Sequence, residues 1–413
     1  MQLNTDTRAR LFDIDATDDQ RSIAALPSST LDVLEVEVSS RSFGAIVRAH
    51  EMSRSPIVVQ RGTHVGFTAP PKVQSNDEPV TYILSGGSTG SPRLVAIGHH
   101  ERRSKAFARV LTKTGWHSGM RQLSILPLHH AAGLTTSLAG WNDGNLIYFL
   151  NRFSSESFVR AVINYSIDWT CLTPTHLSIL ARDGALKDLR STNLSVLHTA
   201  AACPRSLKEE WLDTLNDRVH EMYSTSEQTG ITICTGPEWR QRPGSVGRGV
   251  LTQVNVLSPS GEALPPGTAG RVRLTPLSAP GAASRTRSFD TGDRGYIDND
   301  GFLYLLGRDS SSVNVGGELV DLNVLHDEIC KISGVLDVRV LDIEHSSLGH
   351  TIGAVIVTIP DCDESQIKTN IRNVLTPSAR PRVVKFVNEL PADERGKTTR
   401  DQVAKILQTN TTK

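Results

Sequence analysis

From Pro79 to about Tyr223, short β-branched runs alternate with amphipathic stretches of helical period, and this alternation constrains the fold more than any other feature. A strand followed by a helix returns to its sheet parallel to the previous strand, and the helices then cover the sheet faces. Val80–Leu84, Gln122–Leu126, Leu146–Leu150, Trp169–Leu172, Leu194–Thr199 and Val219–Tyr223 read as strands. His100–Thr112, Glu156–Tyr165, Pro174–Arg182 and Arg205–Leu215 read as helices. Residues before about 78 are polar and weakly patterned, with a short strand candidate at Leu31–Val38.

Beyond this region the pattern changes. Leu251–Leu274 reads as a β-meander with turns at Ser258–Gly261 and Pro265–Gly267. A second unit is expected from Gly307: helix Leu322–Lys331, strands Val335–Ile343 and Thr351–Thr358, helix Glu364–Leu375 and strand Val383–Val387. The expected fold class is α/β. A large N-terminal domain, residues 1–307, holds wound α/β sheets plus the meander, and a small mobile α+β C-terminal domain covers 308–413. The polar junction Gly307–Ser312 suits a hinge.

The sharpest local motif is Ser85-Gly86-Gly87-Ser88-Thr89-Gly90-Ser91-Pro92-Arg93, directly after a predicted strand. Glycines let backbone N–H groups turn toward an anion, hydroxyls add donors and Arg93 adds charge, a combination suited to a triphosphate. The GK[ST] ending of a Walker A loop is absent, and a plain Ser/Gly surface loop is the alternative. Later motifs bear on that choice. Leu126-Pro127-Leu128-His129-His130-Ala131-Ala132-Gly133 ends a strand, so His130 is either a pocket residue or the cap of the next helix. His198-Thr199-Ala200-Ala201-Ala202-Cys203-Pro204 places small residues at another strand end, where they admit a flat ligand, pack a helix closely, or do both. Tyr223-Ser224-Thr225-Ser226-Glu227, Pro243–Arg248, Phe289-Asp290-Thr291-Gly292-Asp293, Gly301–Arg308 and Gly396-Lys397-Thr398-Thr399-Arg400 complete the series.

In this order, from about residue 80 to 400, the motifs resemble those of the adenylate-forming superfamily of acyl-CoA synthetases, aryl-acid ligases, peptide-synthetase adenylation domains and luciferases. The resemblance implies that Ser85, Gly86, Gly87, Ser88, Thr89, Gly90 and Arg93 hold ATP phosphates. It puts Ala201 and Ala202 against adenine, Tyr223 stacked on it, and Asp293 and Arg308 on the ribose hydroxyls. His130, Ala131, Thr199, Ala200, Ser224 and Gly230 would line the acid pocket. Ser226 would contact phosphate, Glu227 would bind Mg²⁺ as a hard oxygen ligand, and Lys397 would bridge the acid carboxylate and the α-phosphate. Taken alone, Asp293 and Arg308 would read as a surface turn or ion pair, and Lys397 as a solvated lysine.

The implied activity is an ATP-dependent acid–AMP ligase acting on an aromatic or modest apolar carboxylic acid. It would release pyrophosphate and transfer the acyl group to CoA, to carrier-protein phosphopantetheine or to an amine. An alternative is a diazotase that activates nitrite for an aromatic amine; another is a non-catalytic nucleotide-binding homologue. Three departures bear on this. Only 84 residues precede Ser85, about half of what relatives carry, so part of the N-terminal subdomain is expected to be missing or supplied by another chain. Ser310 stands at the hinge position that is usually Asp or Lys. The segment after Gly316-Gly317 lacks the full pattern of CoA users, and no basic cluster marks a CoA phosphate site.

Composition excludes other classes. Lys plus Arg number 44 and Asp plus Glu 44, so there is no electrostatic footprint for nucleic acid or an anionic membrane. No apolar run reaches the ~20 residues that span a bilayer. The N-terminus has no signal-peptide core, and five scattered cysteines form neither a metal motif nor a disulfide framework. A cytoplasmic location is expected, with a small-molecule acid and an amine or carrier-protein acceptor as partners.

Overall fold

A computed structural model describes residues 11–13, 33–35, 57–60, 81–85, 93–96, 100–225, 230–277, 288–308, 312–315, 318–345, 349–360, 362–391 and 398–408. The chain divides into two compact units: Met1–Gln253 with Thr275–Arg287, and Val254–Leu274 with Ser288–Lys413.

The first unit begins with strands β1 (Leu11–Asp13), β2 (Val33–Glu35), β3 (Ile57–Gln60), β4 (Thr81–Ser85) and β5 (Arg93–Ala96). Helix α1 (His100–Leu111) leads to β6 (Arg121–Ser124), α2 (Ala131–Asn142), β7 (Leu146–Phe149), α3 (Ser155–Asn164) and β8 (Trp169–Leu172). Then come α4 (Pro174–Arg182), α5 (Leu186–Leu189), β9 (Ser195–His198), α6 (Arg205–Thr214) and β10 (Val219–Ser224). β11 (Ile231–Cys234), α7 (Gly236–Gln241) and β12 (Ser245–Gly249) follow. The main sheet runs β1-β7-β6-β8-β9-β10-β11-β12. It is parallel from β1 to β10 and antiparallel from β10 to β12. The expected wound sheet is therefore present, and the same unit holds a separate smaller sheet, β2-β3-β4-β5. Strand order reverses at β6, whose neighbours are β7 on one side and β8 on the other, and open α/β sheets bind ligands at the carboxyl edge of such a switch.

Local chemistry explains the element boundaries. Ser154 and Ser157 form a reciprocal capping box at the start of α3, and Thr235 with Glu238 does the same for α7. Thr173 caps α4, with Pro174 pre-set for its first turn. Trp169, Trp211, Phe149 and Phe158 are fully buried in the core between sheet and helices. Their polar tips are satisfied where they have one: Trp169 Nε1 donates to Thr114 Oγ1 at 3.0 Å and Trp211 Nε1 to the Leu177 carbonyl at 3.1 Å.

The second unit takes in most of β13 (Thr252–Leu257) and β14 (Gly270–Pro276), then β15 (Phe289–Ile297) and β16 (Leu303–Arg308), in the order β16-β15-β14-β13. It continues with β17 (Ser312–Val315), β18 (Glu318–Asp321), α8 (Leu322–Cys330), β19 (Val335–His345), β20 (Gly349–Thr358), α9 (Glu364–Val374), β21 (Val383–Val387) and α10 (Arg400–Gln408). β18-β17-β20-β19, with β21 on β20, forms its other sheet. Val338, Ile352, Ala354 and Ile356 pack there with Leu325, Ile329, Ile367 and Ile371 of the two central helices. Among the described residues no helix is long and apolar enough to cross a membrane.

Candidate active site

The carboxyl ends of the parallel strands of the first unit carry the predicted pocket residues. After β6 the chain turns through Leu126–His129, and His130 becomes the N-cap of α2, with extended φ −117° and ψ 150°. Its ring caps nothing and instead tilts against the His129 ring, with centroids 4.1 Å apart. Ala131 and Ala132 follow at half-buried positions. Gly133 is required, because a Cβ there would overlap the carbonyl of Pro127.

After β9, Thr199 is buried and its hydroxyl donates to the Met222 carbonyl at 2.8 Å, which fixes β9 to the residue before Tyr223. Ala200, Ala201 and Ala202 are exposed. Ala200 has φ +81°, a conformation costly for any residue with a Cβ and held only where neighbours over-determine it. Tyr223 and Ser224 end β10 half-buried. The Ser224 hydroxyl donates to the Gly230 carbonyl at 2.9 Å, and Ser224 opposes Ile231 in the β10–β11 register. These two predicted pocket residues thus bond to each other on either side of the segment 226–229 in sequence.

The glycine-rich loop has a comparable frame. Ser85 and Arg93, the first and last residues of the motif, are antiparallel partners on β4 and β5. Gly86, Gly87, Ser88, Thr89 and Gly90 lie outside the described residues, as do Ser226, Glu227, Ser310, Gly316, Gly317 and Lys397. The proposed magnesium ligand is among them. Among the described residues no three His, Cys, Asp or Glu side chains gather as a metal site.

In the second unit, Asp293 and Arg308 are direct register partners on β15 and β16, which brings together the two predicted ribose contacts. Within β15 the register against β14 shifts between Asp290 and Arg294, where the Thr291 hydroxyl accepts from the Asp293 amide at 3.1 Å and Gly292 has φ +76°. The chain after Lys397 is firmly held. Thr399 and Gln402 form a reciprocal cap on α10, and Arg400 pairs with Asp342 of β19.

An ionic cluster beneath the Thr199–Pro204 turn is absent from the motif reading. Lys208 of α6, fully buried, lies 2.6 Å from His198 Nε2 and 2.8 Å from Glu221 Oε2. A sequence signal exists for it: Lys208 occupies the helix face of Trp211, Leu212 and Leu215, where an apolar residue is expected.

Burial also sets the titration of this region. It pulls His176 and His220 down from 6.5 to about 4, the second helped by the Lys208 charge, and pushes His198 well below its ordinary value. The unfolded chain takes up these protons near 6.5 and the folded chain only near 4, so stability present above pH 6.5 is lost as pH falls across that window. His220→Gln, which removes one such group, is expected to make the fall in unfolding temperature between pH 6.5 and 4 shallower than in wild type. Equal slopes in the two proteins would overturn this account.

Comparison with known proteins completes the picture. The model of the AMP-binding enzyme family matches residues 6–275. The chain belongs to that family. Its AMP-binding relatives include the sulfoacetate–CoA ligase of Cupriavidus necator, 25% identical over 356 residues, covering 78% of this chain and 66% of that one. The fatty acid–[acyl-carrier-protein] ligase ScoC of Streptomyces coeruleorubidus is 24% identical over 369 residues, covering 83% and 70%. The chain thus spans about two thirds of the length of these relatives. The amide bond synthetase McbA of Marinactinospora thermotolerans shares the fold, with a TM-score of 0.67 at 22% identity over 84% of this chain and 74% of that one.

Proposed function

We propose that the chain is an ATP-dependent acid–AMP ligase for a small aromatic or modest apolar carboxylic acid. The observation that carries this reading is the exposed run Ala200–Ala202 at the carboxyl end of β9, tied through Thr199 to the strand of Tyr223. Small side chains on a fixed turn let a flat purine approach the backbone, and an aromatic ring on the adjacent strand can stack on it.

In this reading a carboxylate oxygen of the acid attacks the α-phosphorus of ATP. The bond from that phosphorus to the bridging oxygen breaks, and pyrophosphate leaves. The residues at Ser85–Arg93 hold the leaving phosphates, Asp293 and Arg308 take the ribose hydroxyls, and Lys397, delivered by the 308–413 segment, offers positive charge as negative charge grows. Glu227 would hold Mg²⁺, which supplies charge neutralisation at the phosphates when bound. A thiol of CoA or of a carrier protein, or an amine, then displaces AMP from the acyl carbon. The relatives carry two of these acceptor types in their names, CoA and a carrier protein, and the amide bond synthetase carries the third.

Pyrophosphate–ATP exchange across a panel of aromatic, short aliphatic and sulfonated acids, with nitrite included, tests the proposal. Exchange that depends on one carboxylate class is expected. Exchange with nitrite alone would move the function to diazotisation, and ATP binding without exchange for any acid would leave a nucleotide-binding homologue.

A further inference from the structure

We infer that Lys208 is a positioning residue for the adenine-facing ends of β9 and β10, acting through His198 and Glu221. The inference rests on the adenylating reading of Ala200–Ala202 and Tyr223. Lys208 contacts both flanks of the segment 199–204: its own helix begins directly after that segment, and His198 directly precedes it. The same ammonium reaches Glu221, the register partner of His198 and two residues ahead of Tyr223. A single buried group therefore closes the turn on itself and locks it to the neighbouring strand. Trp239 of α7 lies against it, with its ring centroid 5.4 Å from Nζ.

Stability alone is a poor reason for this cluster. A buried ion pair is often no better for folding than apolar side chains of the same volume, since both ions are taken out of water. The cluster also leaves His198 Nδ1 buried with no hydrogen-bond partner among the described residues; with Nε2 accepting from Lys208, the neutral ring carries its proton on Nδ1, a donor left unsatisfied. Directional bonds do what apolar packing does not: they specify one geometry. The turn they specify contains Ala200 at φ +81°, a conformation an alanine does not hold unaided.

His198→Leu and His198→Gln separate packing from positioning, because the two side chains fill similar space and only glutamine offers Lys208 an acceptor. Dissociation constants for AMP are measured by calorimetry on the full chain, with thermal unfolding and the KM and kcat for ATP alongside. His198→Leu is expected to bind AMP about ten-fold more weakly and to raise the KM for ATP by a similar factor, with little change in kcat. His198→Gln is expected to stay within about two-fold of wild type. Lys208→Met leaves the Glu221 carboxylate buried without its partner and is expected to unfold at lower temperature. The double variant Lys208→Met/Glu221→Gln is expected to recover the unfolding temperature but not the AMP affinity. Leucine and glutamine variants that both bind AMP as wild type does would overturn the inference and leave the function standing. A wild-type chain that binds no AMP would overturn the adenylating reading and this inference together.

Discussion

Replacing Lys397 with alanine is expected to lower acyl-adenylate formation by roughly 10²–10³-fold. In the proposed reaction the α-phosphorus gains a fifth oxygen as the carboxylate attacks, and negative charge rises on the equatorial oxygens before pyrophosphate departs. A positive charge placed there interacts more strongly with that state than with bound ATP, so its loss appears in kcat and only weakly in KM. The local frame fits such a role. Two residues further along the chain Thr399 caps α10 with Gln402, and Arg400 pairs with Asp342, so the described chain that follows Lys397 in sequence is held at a helix start. Acid-dependent pyrophosphate exchange in Lys397→Ala is the measurement, with ATP affinity and thermal unfolding as controls. AMP formation that survives undiminished would remove Lys397 from the mechanism. A variant that loses ATP binding as well would assign the residue to binding rather than to the chemical step.

The features legible in the sequence are those whose cause is local. Short strands at β8, β9 and β10, the capped helices α3 and α4 and the amphipathic helix α6 announce themselves within a few residues. The helix α2 does not. Its sequence, AAGLTTSLAGWN, has two glycines and two adjacent threonines, which are weak helix formers. Small or apolar residues on every side leave no polar stripe to mark it. The threonine hydroxyls are absorbed by the helix itself, Thr135 on the Ala131 carbonyl and Thr136 on that of Ala132, each at 2.6 Å. The ionic cluster is hidden for a different reason. Lys208, His198 and Glu221 come from one helix and two strands, and no local period reports that three elements converge. The pairing of Ser85 with Arg93 is likewise a fact of the sheet, whereas the glycine-rich run between them is a fact of the chain. Motif order proposes the members of the nucleotide site; the parallel register sets the strands that lead to Ala200 and Tyr223 side by side.

Within Pro243-Gly244-Ser245-Val246-Gly247-Arg248 the two glycines are expected to respond very differently to alanine, although both have positive φ, +86° at Gly244 and +92° at Gly247. A Cβ on Gly244 meets nothing within 4 Å, so Gly244→Ala carries only the left-handed backbone cost, about 1–2 kcal/mol. A Cβ on Gly247 would overlap the carbonyl of Ile233 and the amide of Cys234 on the neighbouring strand β11. That backbone cannot retreat. Ile233 is paired with Arg248 in the antiparallel register, its side chain is buried, and the Thr232 hydroxyl is held by the Val246 carbonyl at 2.6 Å. Forcing a methyl into such a contact adds about 1–3 kcal/mol, so Gly247→Ala is expected to lose about 2–5 kcal/mol in all. Against a total stability of about 5–15 kcal/mol this is a large fraction, and it falls where β12 packs on β11. Chemical denaturation of the two variants side by side is the measurement, because the backbone cost is common to both and the difference isolates the close approach. Equal losses would mean that β11 and β12 do not approach this closely in solution. A larger loss at Gly247, with acid-dependent exchange reduced in the fraction still folded, would tie the packing of β11 on β12 to the catalytic role proposed for Glu227.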